Sequence, residues 1–181
     1  MADTLEATVV VNLTASYLLG LSNSGGNMGG DVGDVFRNAF TDGTTIGKAD
    51  KCWASVGRTL SGTTPEDIDV YDFGSLDIGA GAGKDPLGQS LTLAEITTII
   101  VYNYATSTGN LKVGGKGTAV AWQSPFVADD DAQVLVPVDG IFALSTAANP
   151  AYAVADSSNH LLTMTPTDDL TYDIYLLGRS A

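Results

Sequence analysis

Short runs in which apolar and polar residues alternate, each closed off by turn residues, recur along the chain and restrict it to β-structure. The clearest stretch is Ile96–Gly114. A β-branched and aromatic run from Ile96 to Tyr102 favours extended backbone, Thr106 to Asn110 supplies turn chemistry, and Leu111-Lys112-Val113 resumes the alternation. This spacing predicts two strands joined as a hairpin.

Other stretches repeat the plan. Leu5, Ala7, Val9, Val11 and Leu13 fall on one face of an N-terminal strand, with Glu6, Thr8, Asn12 and Thr14 on the other. Trp53 and Leu60 anchor a further strand, and Glu66 to Asp72 alternates acid with apolar. Shorter segments follow at Ala119–Trp122, Gln133–Val138, Ile141–Leu144, Ala151–Ala155, His160–Met164 and Leu170–Leu177. In the last of these Leu170, Tyr172, Ile174 and Leu176 share one face, while Thr171, Asp173 and Tyr175 share the other. Asp139-Gly140 between apolar runs marks a second hairpin turn. About ten short strands without a long helix predict an all-β fold, an antiparallel β-sandwich of jelly-roll type. A single domain over residues 1–181 is long enough to bury roughly two thirds of its unfolded surface.

One region departs from the pattern. Residues 22–34 hold five glycines in thirteen positions, more flexible backbone than an unsupported regular element tolerates. We read 22–50 as a glycine-rich arm or loop that orders against a neighbouring subunit. Phe36 and Phe40, four apart, would share one side of a single helical turn. Asn27, Phe36, Arg37 and Phe40 are the expected partner-interface residues.

Motifs for chemistry are sparse. The stretch Gly79 to Lys84 resembles a phosphate cradle, but Ile78 and Asp85 stand where a P-loop needs glycine and Ser or Thr. No Cys/His metal set can be assembled from one cysteine, Cys52, and one histidine, His160. Cys52 reads as a small buried hydrophobe, and His160 as a strand-end residue instead of the base of a triad. Asp129-Asp130-Asp131 offers oxygen ligands, yet neighbouring carboxylates on extended backbone point to opposite sides, so a solvated acidic loop is expected. No catalytic residue, metal or cofactor is therefore assigned, and the chain is expected not to be an enzyme.

Charge narrows the partners. With 8 basic against 21 acidic residues the net charge is −13, which repels phosphate backbones and argues against nucleic acid as a partner. The N-terminus lacks a basic and apolar leader pattern and no run is long enough for a membrane-spanning helix, so synthesis in the cytoplasm without export and without membrane association is expected.

Ala49-Asp50-Lys51-Cys52-Trp53, Leu91 to Ile96, Asn110 to Gly115, Val136 to Phe142 and Tyr172 to Ala181 together resemble small virion structural proteins of tailed bacteriophages. The resemblance covers residues 49–181. It implies a jelly-roll domain that forms homotrimers on the capsid surface, with itself and a major capsid protein as partners, in a decoration, cement or head-fibre role. An alternative drawn from the same sandwich is a carbohydrate-binding or adhesin module with Trp53, Trp122, Tyr102 and Tyr104 as stacking platforms.

Overall fold

The computed structural model describes residues 4–20, 27–74, 76, 81–85, 88–126 and 129–180, with side chains for all of these except 13–20 and 27–34. Eleven strands and one 3-10 turn, Ser124–Phe126, account for the regular structure of the described residues. The strands are β1 (Ala7–Gly20), β2 (Asn27–Phe40), β3 (Lys51–Leu60), β4 (Glu66–Asp69), β5 (Glu95–Asn103) and β6 (Leu111–Gly114). They continue with β7 (Gln133–Val136), β8 (Ile141–Ser145), β9 (Tyr152–Ala153), β10 (Leu161–Pro166) and β11 (Leu170–Arg179).

Nine of these strands form two antiparallel sheets. One sheet runs β4-β10-β6-β7; the other runs β3-β11-β5-β8, with β9 pairing the start of β5. Trp53, Ile99, Val101, Tyr172 and Ile174 of the larger sheet share one hydrophobic core with Ile68, Leu111, Val113, Leu162 and Met164 of the smaller. The all-β antiparallel sandwich read from the alternation is therefore present. Strand β11 shows why the pattern was informative: Leu170, Tyr172, Ile174 and Leu176 are buried, while Tyr175 of the opposite face is exposed. Fully burying such side chains contributes about 1.5–3 kcal/mol each. Trp53 adds a stacked contact to Phe73, with ring centroids 4.6 Å apart.

Strand pairing differs from the sequence expectation at both predicted hairpins. β5 and β6 do not pair with one another; β5 lies between β11 and β8, and β6 between β10 and β7, so residues 104–110 cross from one sheet to the other. The crossing is held by Asn103, fully buried, whose Nδ2 donates to Gly109 O at 3.1 Å and Val136 O at 3.3 Å. The Asp-Gly turn exists, with Gly140 N donating to Pro137 O at 2.9 Å and Asp139 at φ 61°. Its flanking strands nonetheless separate, β7 into the smaller sheet and β8 into the larger. A turn fixes only a change of direction, and burial of both apolar faces decides which strand each segment meets. Ala119–Trp122 is not a strand; it forms a turn followed by a bridge from Ala121 to Leu161, and it places Trp122 in the core.

The expected arm, 22–50, contains a regular element. Residues 22–26 lie outside the described residues, but Asn27–Phe40 is strand β2, paired along its length with β1 from Ala7↔Phe40 to Gly20↔Asn27. The pair forms a two-stranded ribbon about 45 Å long at the usual rise per residue. Phe36 and Phe40 do share a side, through the period of two of a strand and not through a helical turn. Thr41 to Ala49 closes the base of the ribbon, with Thr41 bridged to Lys48 and Ala49 N donating to Thr41 O at 3.0 Å.

Two glycines answer to close backbone approach. A Cβ on Gly115 would lie 2.0 Å from Asp130 O, and one on Gly114 would lie 2.2 Å from Ala132 O. The chain at 130–132 thus packs directly on the Gly114-Gly115 backbone, which explains the paired glycines after Val113. Gly115→Ala is expected to lower the unfolding free energy by about 2–4 kcal/mol, read as a shift in urea midpoint at unchanged slope.

Candidate interaction surfaces

The ribbon carries the larger of two surface features. Ala7, Val9 and Val11 of β1 and Phe36, Asn38 and Phe40 of β2 lie on one face, because directly paired residues of antiparallel strands point the same way. Burial declines along that face: Phe40 is 2% exposed at the base, Val9 is half-buried, and Val11 and Phe36 reach 52% and 62%. Beside it a groove of about 470 Å³ runs between Val9, Val11, Phe36 and Ser145 of β8. Asn38 Nδ2 donates to Ser145 Oγ at 3.0 Å and ties the ribbon to the larger sheet there. The opposite face shows Val10 at 52% and Val35 at 57% exposure.

Of the four expected interface residues, Phe36 and Arg37 are exposed on β2. Phe40 is not part of that surface: it is buried where the ribbon joins the sandwich. Asn27 opens β2 opposite Gly20, and its side chain lies outside the described ones.

The second feature lies on the outer face of the larger sheet. A bulge in β3 between Ser55 and Arg58 places Gly57, at φ 69°, so that its N–H donates to Asp173 Oδ1 at 2.8 Å. Tyr104 Oη donates to the same oxygen at 2.9 Å and Tyr175 Oη to Asp173 Oδ2 at 3.3 Å. Tyr102, paired with Asp173 across β5 and β11, donates to Asp139 Oδ1 at 2.8 Å. The Tyr102 and Tyr104 rings lie 5.3 Å apart. Hydrogen bonding to Asp139 raises the Tyr102 hydroxyl above its ordinary range, and hydrogen bonding to Asp173 does the same for Tyr104. For Tyr175 desolvation acts first and Asp173 second. Asp173→Asn is expected to bring the Tyr104 hydroxyl back toward the ordinary phenol value, read by ultraviolet difference titration. The alternation already placed Asp173 and Tyr175 on one face; what it lacked was the register that brings Tyr102 and Asp139 beside them.

Trp53 and Trp122 are 1% and 0% exposed, which removes two of the four proposed stacking platforms. Trp122 Nε1 donates to Ala153 O at 3.0 Å, as a core indole should.

The remaining candidates are local. Asp129, Asp130 and Asp131 do converge, each with a ligand oxygen within 4.8 Å of the others, because this loop bends instead of running extended. Asp129 accepts a hydrogen bond from the Asp131 carboxyl and repels its anion, which raises the Asp131 pKa. A raised carboxyl favours the folded loop at low pH and loses that contribution as pH rises through its own titration. Asp129→Asn is expected to return Asp131 to the ordinary carboxylate range in a carbon-detected NMR titration. His160 Nε2 lies 3.8 Å from Asp69 Oδ2, and its buried Nδ1 has no hydrogen-bond partner among the described residues. Lys84 Nζ donates to Ser90 Oγ at 2.9 Å, while residues 77–80 of the glycine stretch lie outside the described residues. Burial raises the Cys52 thiol, with the charge of Asp85 adding to it, so little thiolate forms at neutral pH. Among the described residues no helix is long and apolar enough to cross a membrane.

No protein-family model matches the sequence, and no curated protein matches it.

Proposed function

We propose that the chain is a non-enzymatic virion structural protein, a capsid decoration or cement subunit that forms homotrimers and binds a major capsid protein of a phage head through a jelly-roll sandwich. The observation that carries this reading is the ribbon. An isolated two-stranded ribbon is marginal in water, and this one displays Val10, Val11, Val35 and Phe36 to solvent. Strand β1 has no charged residue and no proline over 14 positions, so its edge lacks the usual guards against pairing. Copies that each carry −13 associate most readily through surfaces free of charge, and β1 is such a surface. The phage resemblance of residues 49–181 supplies the setting.

Light scattering after size exclusion tests the assembly. A mass three times the 18.6 kDa of the chain is expected. A chain that stays monomeric at concentrations up to about 100 μM overturns the trimer, because mass action would have revealed even a weak one.

A further inference from the structure

The tyrosine–aspartate cluster on the outer face is built to accept and has little to give. Each of the three phenol O–H groups is already donated to a carboxylate, Tyr102 to Asp139 and Tyr104 and Tyr175 to Asp173. What remains accessible are the half-buried phenols of Tyr102 and Tyr104, the exposed ring of Tyr175 and the second oxygen of the exposed Asp139. All of these attract positive charge, the rings through their quadrupole. None of the ion pairs among the described residues includes Asp139 or Asp173; they join Arg58 to Glu66, Lys116 to Asp67 and Arg179 to Glu95. Both carboxylates thus act on Tyr102 without a cationic partner among the described residues, Asp173 buried beneath its three donors and Asp139 exposed. Ile141, directly opposite Tyr102 on β8 and 69% exposed, adds an apolar rim.

We propose that Tyr102, Tyr104 and Tyr175 with Asp139 and Asp173 form a docking surface for an arginine side chain presented by a partner protein. A guanidinium is planar, stacks on an aromatic face, and forks two donors toward a carboxylate. Those properties answer the two things the cluster offers, ring surface and anionic oxygen. A lysine ammonium satisfies the charge but not the stacking. A sugar brings hydroxyls that each need donors as well as acceptors, and the cluster has committed its donors. The chain's net charge of −13 would steer a basic segment toward it. The proposal rests on reading the chain as a binding component of an assembly, but not on trimer formation.

The test is an NMR titration of the isotope-labelled full chain with the blocked peptide acetyl-Gly-Arg-Gly-Arg-Gly-amide, its lysine counterpart, and maltotriose. The arginine peptide is expected to move the amides of Tyr102, Tyr104, Asp139 and Tyr175 and to bind more tightly than the lysine peptide. Asp139→Asn and Tyr104→Leu are each expected to weaken it about tenfold, whereas Asp156→Asn, an exposed acid outside the cluster, leaves it unchanged. Equal weakening by Asp139→Asn and Asp156→Asn, or shifts spread over the acidic surface, would mean diffuse attraction only and overturns the proposal. Shifts at the tyrosines with maltotriose and none with arginine overturn it in favour of a glycan site. Specific arginine binding by a monomeric chain would sink the trimer alone, and a trimer without it would sink this inference alone.

Discussion

A chain carrying Val11→Asp together with Phe36→Asp is expected to behave as a monomer while its sandwich melts where the parent sandwich does. Val11 and Phe36 are directly paired across the ribbon and more than half exposed. Aspartate there removes nothing from the shared core of the two sheets. In a trimer the same two side chains are covered, and their burial contributes about 4 kcal/mol per subunit at the usual area coefficient. Losing that, and placing six new carboxylates at the contact, weakens association by about a thousandfold per subunit. Light scattering would report the mass and thermal unfolding the intact fold. A double variant that remains trimeric would show that the ribbon is not the contact, and a variant that fails to fold would show that the ribbon belongs to the core.

The second large effect concerns Arg179, which is 1% exposed. Its Nη1 donates to Glu95 Oε2 at 2.6 Å and its Nε to Lys48 O at 3.0 Å. It therefore joins the end of β11 to the start of β5 and to the closed base of the ribbon. Removing Arg179 leaves the partly buried Glu95 carboxylate with the Ala151 N–H as its remaining donor and opens a cavity where the guanidinium lay. Arg179→Ala is expected to cost about 3–5 kcal/mol, read from urea denaturation. Arg179→Met combined with Glu95→Leu should lose much less than the single change, since no unpaired ion remains. If the double variant were the weaker one, Glu95 would stabilise the fold chiefly through its other contact, as acceptor from Ala151 N at 3.3 Å, and not through Arg179.

Strand positions were legible in the sequence because burial on one face of a sheet imposes a period of two, as Leu170 to Leu176 display. Partners were not legible. Nothing local distinguishes Ile96–Asn103 followed by Leu111–Gly114 as a hairpin from the same residues as a crossing between sheets. The difference lies in Asn103, whose amide reaches Val136, far along the chain. The glycines at 29, 30 and 33 suggested an irregular arm because propensity is a local statement. Their backbones are paired by β1, whose alternation was visible, though its partner was not. The surface cluster was half legible, Tyr102 and Tyr104 through their rings and Asp173 and Tyr175 through their phase. Only the pairing of β5 with β11 brings the halves together.

The place of β11 in the larger sheet bears on how the chain is made. This strand lies between β3 and β5, so both wait for it with an open edge while the intervening segments are synthesised. The ribbon, by contrast, joins neighbours in sequence and can close early, in microseconds once both strands are out. Non-local pairing of the kind β11 completes is slow, and open strand edges are prone to capture by other chains. Until the ribosome releases β11, a nascent copy displays an unfinished sheet beside a finished ribbon. Slowing translation between β5 and β11 is therefore expected to lower the yield of soluble protein more than slowing it between β1 and β2.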